Sequence, residues 1–266
     1  MALCGARPYA APVLGFGSRS QIDKLGDRLA KKAIPDESDL QQLQRLRAAY
    51  DEPMAAVARI VREELGLQAT SRLKTVNTII DKLKRDRTRL SSMQDIAGLR
   101  IVKDVTLPQQ DEISRIISEA FPGAKVVDRR RHPSHGYRAV HVIVEQGECL
   151  VEVQVRTRLQ DLWAQALEKA ADSIGREIRY GTIPGDEPQR SMVEMLMEMS
   201  EMIDSVENQL ARAEETENAF EGRPSQDEEY LRLRVMNQMQ KDRLEVTRGG
   251  LSQLLERLLG VLRDQK

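Results

Sequence analysis

The chain of 266 residues is long enough to bury one sizeable core with appendages. It is 40% hydrophobic and 31% charged with a formal net charge of −1, which excludes a globally basic nucleic-acid binder but not a local basic cleft. Aromatics make up only 3%, so Leu, Ile, Val and Met must fill the interior, and no apolar run approaches the length of a membrane span.

Cys4 and Cys149 lie far apart and suggest neither a disulfide framework nor a zinc site, which fits a reducing cytoplasm. The leader "MALCGARPYAAPVLGFGSRS" lacks the basic start and sustained apolar segment of a signal peptide and reads as a flexible tail. Helical spacing runs over 18–34 and again over 36–66, where Pro53 predicts a break near Asp51–Glu52 or a new helix starting there. The stretch 75–86 alternates apolar and basic residues at helical period. A strand-like pattern follows at 97–105, a helix at 107–121, and a second strand at 124–130. Residues 139–157 read as a hairpin turned around Gly147, with period-2 alternation on both arms. The helix predicted over 159–178 carries the only Trp, Trp163.

Past the Gly- and Pro-containing loop at 180–187 the pattern is almost wholly helical, over 192–215 and 228–264. Gly249–Gly250 is able to split the second of these stretches. The methionines at helical spacing suit an adaptable partner surface, but more often such a stripe is the packed face of a helical hairpin or an oligomer seam. These helices bear too many Leu and Met positions to stay solvated, so they are expected to fold back or to join copies of the chain. The division expected is a tail (1–17), N-terminal helices (18–66), a mixed α/β domain (67–182) and a C-terminal helical extension (187–266).

Three segments bear candidate chemistry. In "SRLKTVNTIIDKLKR" (71–85), Thr78 and Lys82 lie four residues apart and share a helix face, while Arg72 and Lys74 precede the helix N-terminus. Such a corner suits a polyphosphate, and a solvated basic face is the plain alternative. In "QDIAGLRIV" (94–102), Asp95 stands just before a strand, where an acid is either an oxygen ligand for Mg²⁺ or a cap. In "VEVQVRT" (151–157), alternation places Glu152, Gln154 and Arg156 opposite Val151, Val153 and Val155. Any half-exposed strand shows that pattern, so specificity comes from the combination.

In order and spacing, Arg72-x-Lys74, Thr78, Lys82, "DIAGLR", "HPSHGYRAVH" and "VEVQVRT" followed by "LQDLWA" resemble the RelA/SpoT-type alarmone synthetase domain over roughly residues 55–180. The resemblance implies a nucleotidyltransferase-like mixed sheet flanked by helices. It implies transfer of the β,γ-pyrophosphate of ATP to the ribose 3′-hydroxyl of GDP or GTP, with Mg²⁺ as cofactor. Asp95 and Glu152 then form the acidic pair around Mg²⁺, and Glu152 accepts or orients the proton of the attacking hydroxyl. Arg72 and Arg100 sandwich the adenine of ATP, while Lys74, Thr78 and Lys82 hold its phosphates. On the acceptor side Tyr137 stacks on the guanine, with Arg138, His141, Gln154 and Arg156 around it. His132, His135 and His141 all fall inside these motifs and no His-Asp pair exists, so synthesis without hydrolysis is expected. The chain's size resembles that of the small, stand-alone members.

Several positions depart from the family's pattern. Arg129, Arg130 and Arg131 stand where lysines often grip the acceptor's 5′-phosphates, and Ser134 and His135 alter the acceptor loop. Thr78 replaces the commoner serine, and "QALEKAAD" lacks the Glu-His pair often found after the Trp. These departures sustain an alternative within the family, in which the acceptor is a tRNA 3′ end or an adenine nucleotide and an antitoxin partners the enzyme. A degenerate nucleotide or RNA sensor is the non-enzymatic alternative.

Overall fold

The computed structural model describes residues 17–221 and 227–264. The leader read as a flexible tail lies, up to residue 16, outside the described residues. Five strands are hydrogen-bonded in the order β1-β2-β5-β4-β3: β1 (Thr70–Leu73), β2 (Ala97–Lys103), β3 (Lys125–Asp128), β4 (Val140–Gln146) and β5 (Cys149–Thr157). Eight helices accompany them among the described residues, which makes the fold the expected mixed α/β sheet with flanking helices. The chain divides into two compact units. The first comprises residues up to Ile101, Ile117–Lys125 and Val142–Gln154, and the second Val102–Ile116, Val126–His141 and Val155 onward.

In the first unit, α1 (Arg19–Lys31), α2 (Glu37–Ala48) and α3 (Asp51–Glu63) are the N-terminal helices. The break near Pro53 is a new helix starting at Asp51, because a proline in the first turn removes an N–H that has no helical partner anyway. Ser18 and Gln21 form a capping box on α1. On α1, Leu25 and Leu29 are buried, and Gly26 lies so close to Leu90 that a Cβ there would sit 2.8 Å from the Leu90 Cβ. That contact seats α1 on the turn before Asp95. Strand β1 was not expected from the sequence. Its four residues are mostly exposed, so no period-2 burial marks them, and only antiparallel pairing with β2 makes them a strand.

The hairpin forms as read, with Gly147 at φ +62°, a left-handed conformation that the turn requires. Val151, Val153 and Val155 are fully buried, as the alternation predicts. The intervening positions are not half-exposed, however: Glu152 and Arg156 are buried too.

In the second unit, α6 (Arg158–Ile174), α7 (Glu187–Glu221) and α8 (Glu228–Asp264) pack on one another. Their shared core contains Trp163, Leu167, Leu196, Met199, Ile203, Leu210, Leu255 and Leu259. The C-terminal helices therefore fold back, one of the two outcomes expected from their apolar content. Gly249–Gly250 does not split α8, because burial of Leu251, Leu255, Leu259 and Leu262 just beyond outweighs a cost of about 1 kcal/mol per glycine. Leu231, Val235, Met239 and Val246 of α8 remain exposed.

A buried polar network ties α7 to the start of α6. Thr157 caps α6 in a capping box with Gln160, and its hydroxyl donates to Glu207 of α7. Gln160 Nε2 also donates to Glu207, at 2.9 Å. Burial pushes the Glu207 carboxyl above the usual glutamate range, against the lowering effect of these two donors. The native state thus holds a proton at pH values where the unfolded chain has released it. The associated stability is fully present below the unfolded pKa and declines as pH rises through the window above it. Glu207→Gln should flatten that part of the curve. Melting temperatures measured from pH 4 to 8 check this, and an unchanged pH slope in the variant would refute the assignment.

Candidate active site

The first unit gathers the predicted donor-binding residues. Thr75 is the N-cap of α4 (Val76–Asp86), accepting from the Thr78 backbone N–H at 3.3 Å. The Thr78 hydroxyl donates to the Thr75 carbonyl oxygen at 2.9 Å, so its proton is used within the cap. Lys82, one turn on, places its Nζ 2.9 Å from Asp95 Oδ2, and Lys74 Nζ lies 3.3 Å from the same oxygen. Two ammonium groups on one carboxylate leave this corner with an excess positive charge, and Lys74 and Thr78 stand at the end of α4 whose dipole is positive. Asp95 Oδ1 is buried and has no hydrogen-bond partner. The corner is rigidly backed: Lys74 N–H donates to Ile96 O at 2.9 Å, and Arg47 Nε of α2 donates to Lys74 O at 2.7 Å. Sequence reasoning missed Arg47, because nothing local links residues 47 and 74.

The β1–β2 register pairs Arg72 with Gly98 and Thr70 with Arg100. Directly opposed residues share a face, so Arg72 and Arg100 stand on one face of neighbouring strands, two positions offset. Gly98 leaves the place opposite Arg72 without a side chain. Two guanidinium groups spaced in this way suit a flat aromatic ligand. Glu152, on β5, accepts a hydrogen bond of 2.6 Å from Gln154 Nε2. Gln154, expected on the acceptor side, thus belongs to the first unit and orients Glu152.

The second unit gathers most of the predicted acceptor residues. Tyr137 Oη is 2.9 Å from His141 Nε2 and accepts from Arg156 Nη2 at 3.1 Å. The Arg156 guanidinium also lies over the Tyr137 ring, 5.1 Å from its centroid. Asp161 of α6 fixes that arginine through a buried ion pair of 2.9 Å, and Gln165 in turn donates to Asp161. Asp161 lies inside the "LQDLWA" motif but was not among the predicted site residues. Its side chain acts through Arg156, a relation only the fold exposes.

Tyr137 sits in a turn held from behind. Gly136 has φ +80°, and a Cβ there would come within 2.7 Å of the Trp163 ring, so only glycine brings the backbone this close to the indole. Trp163 Nε1 donates to Leu196 O at 2.6 Å. His135 packs its ring against Gly181. Arg138 was expected to meet the acceptor, but its guanidinium is engaged by Ser200, Glu201 and Asp204 of α7. The arginine run is divided in use. Arg130 is held by Asp111, Asp128 and Gln110, whereas Arg129 and Arg131 are exposed.

Residues 71–172 match the family described as the region found in RelA / SpoT proteins. The likeness to a RelA/SpoT region is confined to that segment. All the residues singled out on sequence grounds lie within it, from Arg72 to Arg156. Uncharacterized proteins of Mycobacterium tuberculosis and Mycobacterium bovis are each 44% identical over 121 residues, covering 44% of this chain. The alignment also covers 44% of their length, so the match spans less than half of these relatives. Among solved structures, small alarmone synthetase 1 of Bacillus subtilis bound to its product pppGpp is 24% identical, covering 66% of this chain and 98% of that one with a TM-score of 0.47. No helix among the described residues is long and apolar enough to cross a membrane.

Proposed function

We propose that the RelA/SpoT region transfers the β,γ-pyrophosphate of ATP to the 3′-hydroxyl of GDP or GTP, without hydrolase activity. The observation that carries this reading is the corner where Lys74 and Lys82 converge on Asp95, beside an oxygen with no partner of its own. A lysine just before a helix N-terminus and a second further along that helix are groups that bind a triphosphate, and the match to the RelA / SpoT region supports the reaction class. Arg72 and Arg100 hold the adenine. Lys74 and Lys82 exchange Asp95 for phosphate oxygens and stabilise the charge that shifts during transfer.

Mg²⁺ fits the residues present. Asp95 Oδ1 and the Glu152 carboxylate are hard oxygen donors, and among the described residues no cluster of three or more His, Cys, Asp or Glu stands ready. Such a pair suits an ion that keeps waters and takes its remaining ligands from phosphates. Bound there, Mg²⁺ would neutralise charge on the triphosphate. Glu152 takes the proton of the attacking hydroxyl as the new O–Pβ bond forms and the Pα–O–Pβ bridge breaks, releasing AMP. Gln154 holds Glu152 in place for that transfer.

A second reading takes a tRNA 3′ end as the acceptor. The exposed Arg129 and Arg131 support it, since they are available to an RNA backbone. Incubation with γ-labelled ATP, Mg²⁺ and a panel of GDP, GTP, AMP, ADP and deacylated tRNA separates the readings. Label is expected on the guanine nucleotides. Label on RNA alone would establish the second reading, and no labelled product with any acceptor would refute both.

A further inference from the structure

Arg138 belongs to the "GYR" turn, yet almost every contact of its guanidinium leads into α7. Nη1 donates to the Ser200 hydroxyl and lies 3.3 Å from the Ser200 carbonyl oxygen. Nη2 is 3.0 Å from Glu201 Oε1, and Nε is 3.2 Å from Asp204 Oδ1. The Ser200 hydroxyl donates in turn to the Gly136 carbonyl oxygen at 2.6 Å, and Arg138 Nη1 is 3.4 Å from that same oxygen.

The direction of this relay is fixed by chemistry. Arginine only donates, so it occupies a lone pair of the Ser200 hydroxyl and leaves that group's single hydrogen for Gly136. Ser200 and Arg138 are both buried, so neither has water as a ready substitute. Glu201 and Asp204 then neutralise an arginine that would otherwise be a buried, unpaired charge. On its other side the same turn rests on the Trp163 ring, which is hydrogen-bonded to Leu196 of α7. One stretch of α7, 196–204, thus holds the Gly136 backbone before Tyr137 and the Arg138 side chain after it.

We propose that Ser200, Glu201 and Asp204 are positioning residues for acceptor recognition: through Arg138 and the Gly136 carbonyl they hold the Tyr137 ring in the orientation that stacks on the acceptor base. This rests on the guanine-nucleotide reading above. It assigns to the C-terminal extension, which lies outside the matched RelA/SpoT region, a part in substrate selection. It also gives Arg138 a role that needs no contact with the acceptor.

Two variants test the proposal. Glu201→Gln removes one largely exposed carboxylate and leaves Asp204 paired with Arg138, so it should fold normally, while Ser200→Ala breaks the relay at its centre. Amide hydrogen exchange of residues 135–138, measured without any nucleotide, should quicken in both. GDP binding should weaken by about tenfold, as expected for losing a hydrogen bond to a charged group, while binding of a non-hydrolysable ATP analogue stays unchanged. Ser200→Thr, which retains the hydroxyl, should restore both readouts. Unchanged exchange overturns the grip, and quickened exchange with unaltered GDP binding overturns the positioning role alone. Equal loss of GDP and ATP-analogue binding would also overturn it, as the mark of a general structural defect. Wild-type protein that binds no guanine nucleotide overturns the acceptor reading itself, and this proposal with it.

Discussion

Glu152→Gln should lower kcat by at least about 10²-fold while the protein remains folded. The substitution preserves shape but removes both the negative charge and the proton acceptor. Glu152 is itself buried on β5, on the face opposite Val151 and Val153. The amide of Gln154 now donates to Glu152 Oε2 at 2.6 Å, and a glutamine whose oxygen takes that place keeps the hydrogen bond. Stability should therefore change little, and thermal melting is the control. Excess chelator should abolish turnover of the wild type, because Asp95 and Glu152 are assigned to the metal. Full activity in EDTA would remove that assignment, and an active Glu152→Gln would place the proton transfer on another group.

Tyr137→Ala should raise the acceptor KM by roughly 5- to 150-fold, the equivalent of the about 1–3 kcal/mol that base stacking contributes. The KM for ATP should stay constant, since its assigned residues lie in the other unit. Tyr137→Phe is the sharper comparison. It keeps the ring but loses the hydroxyl, which meets both His141 Nε2 and Arg156 Nη2. Arg156 keeps its ion pair with Asp161 and its place over the ring, so the Phe variant should stay far closer to wild type than the Ala variant. Equal KM values for Ala and wild type with every acceptor would sink the stacking assignment. A Phe variant as impaired as Ala would shift the role from the ring to the hydroxyl.

The periodicities of the chain were sufficient for most elements. Apolar spacing located the helices, Gly147 located the hairpin turn, and Pro53 marked the start of α3. Local patterns suffice where the burial of one face leaves a regular imprint on the sequence. Strand β1 left none, because its partner β2 satisfies its backbone while its side chains stay mostly exposed. Gly249–Gly250 shows the converse: a local helix-breaking signal was overruled by leucines buried from a distance.

The same division holds for the candidate site. The resemblance in motif order and spacing pointed to Asp95, Glu152, Lys74, Lys82 and Tyr137 without any structure, whereas each segment taken alone had a plain alternative. What each side chain touches was decided only by tertiary structure. Lys74 and Lys82 share one carboxylate oxygen, Gln154 serves Glu152, and Arg138 turns to α7. Arg47, Ser200 and Glu207 carried no signal in the sequence, and Asp161 none beyond its place in "LQDLWA", because a hydrogen bond or ion pair requires only two complementary groups. Such groups are common along any polar chain, and folding alone selects which of them meet.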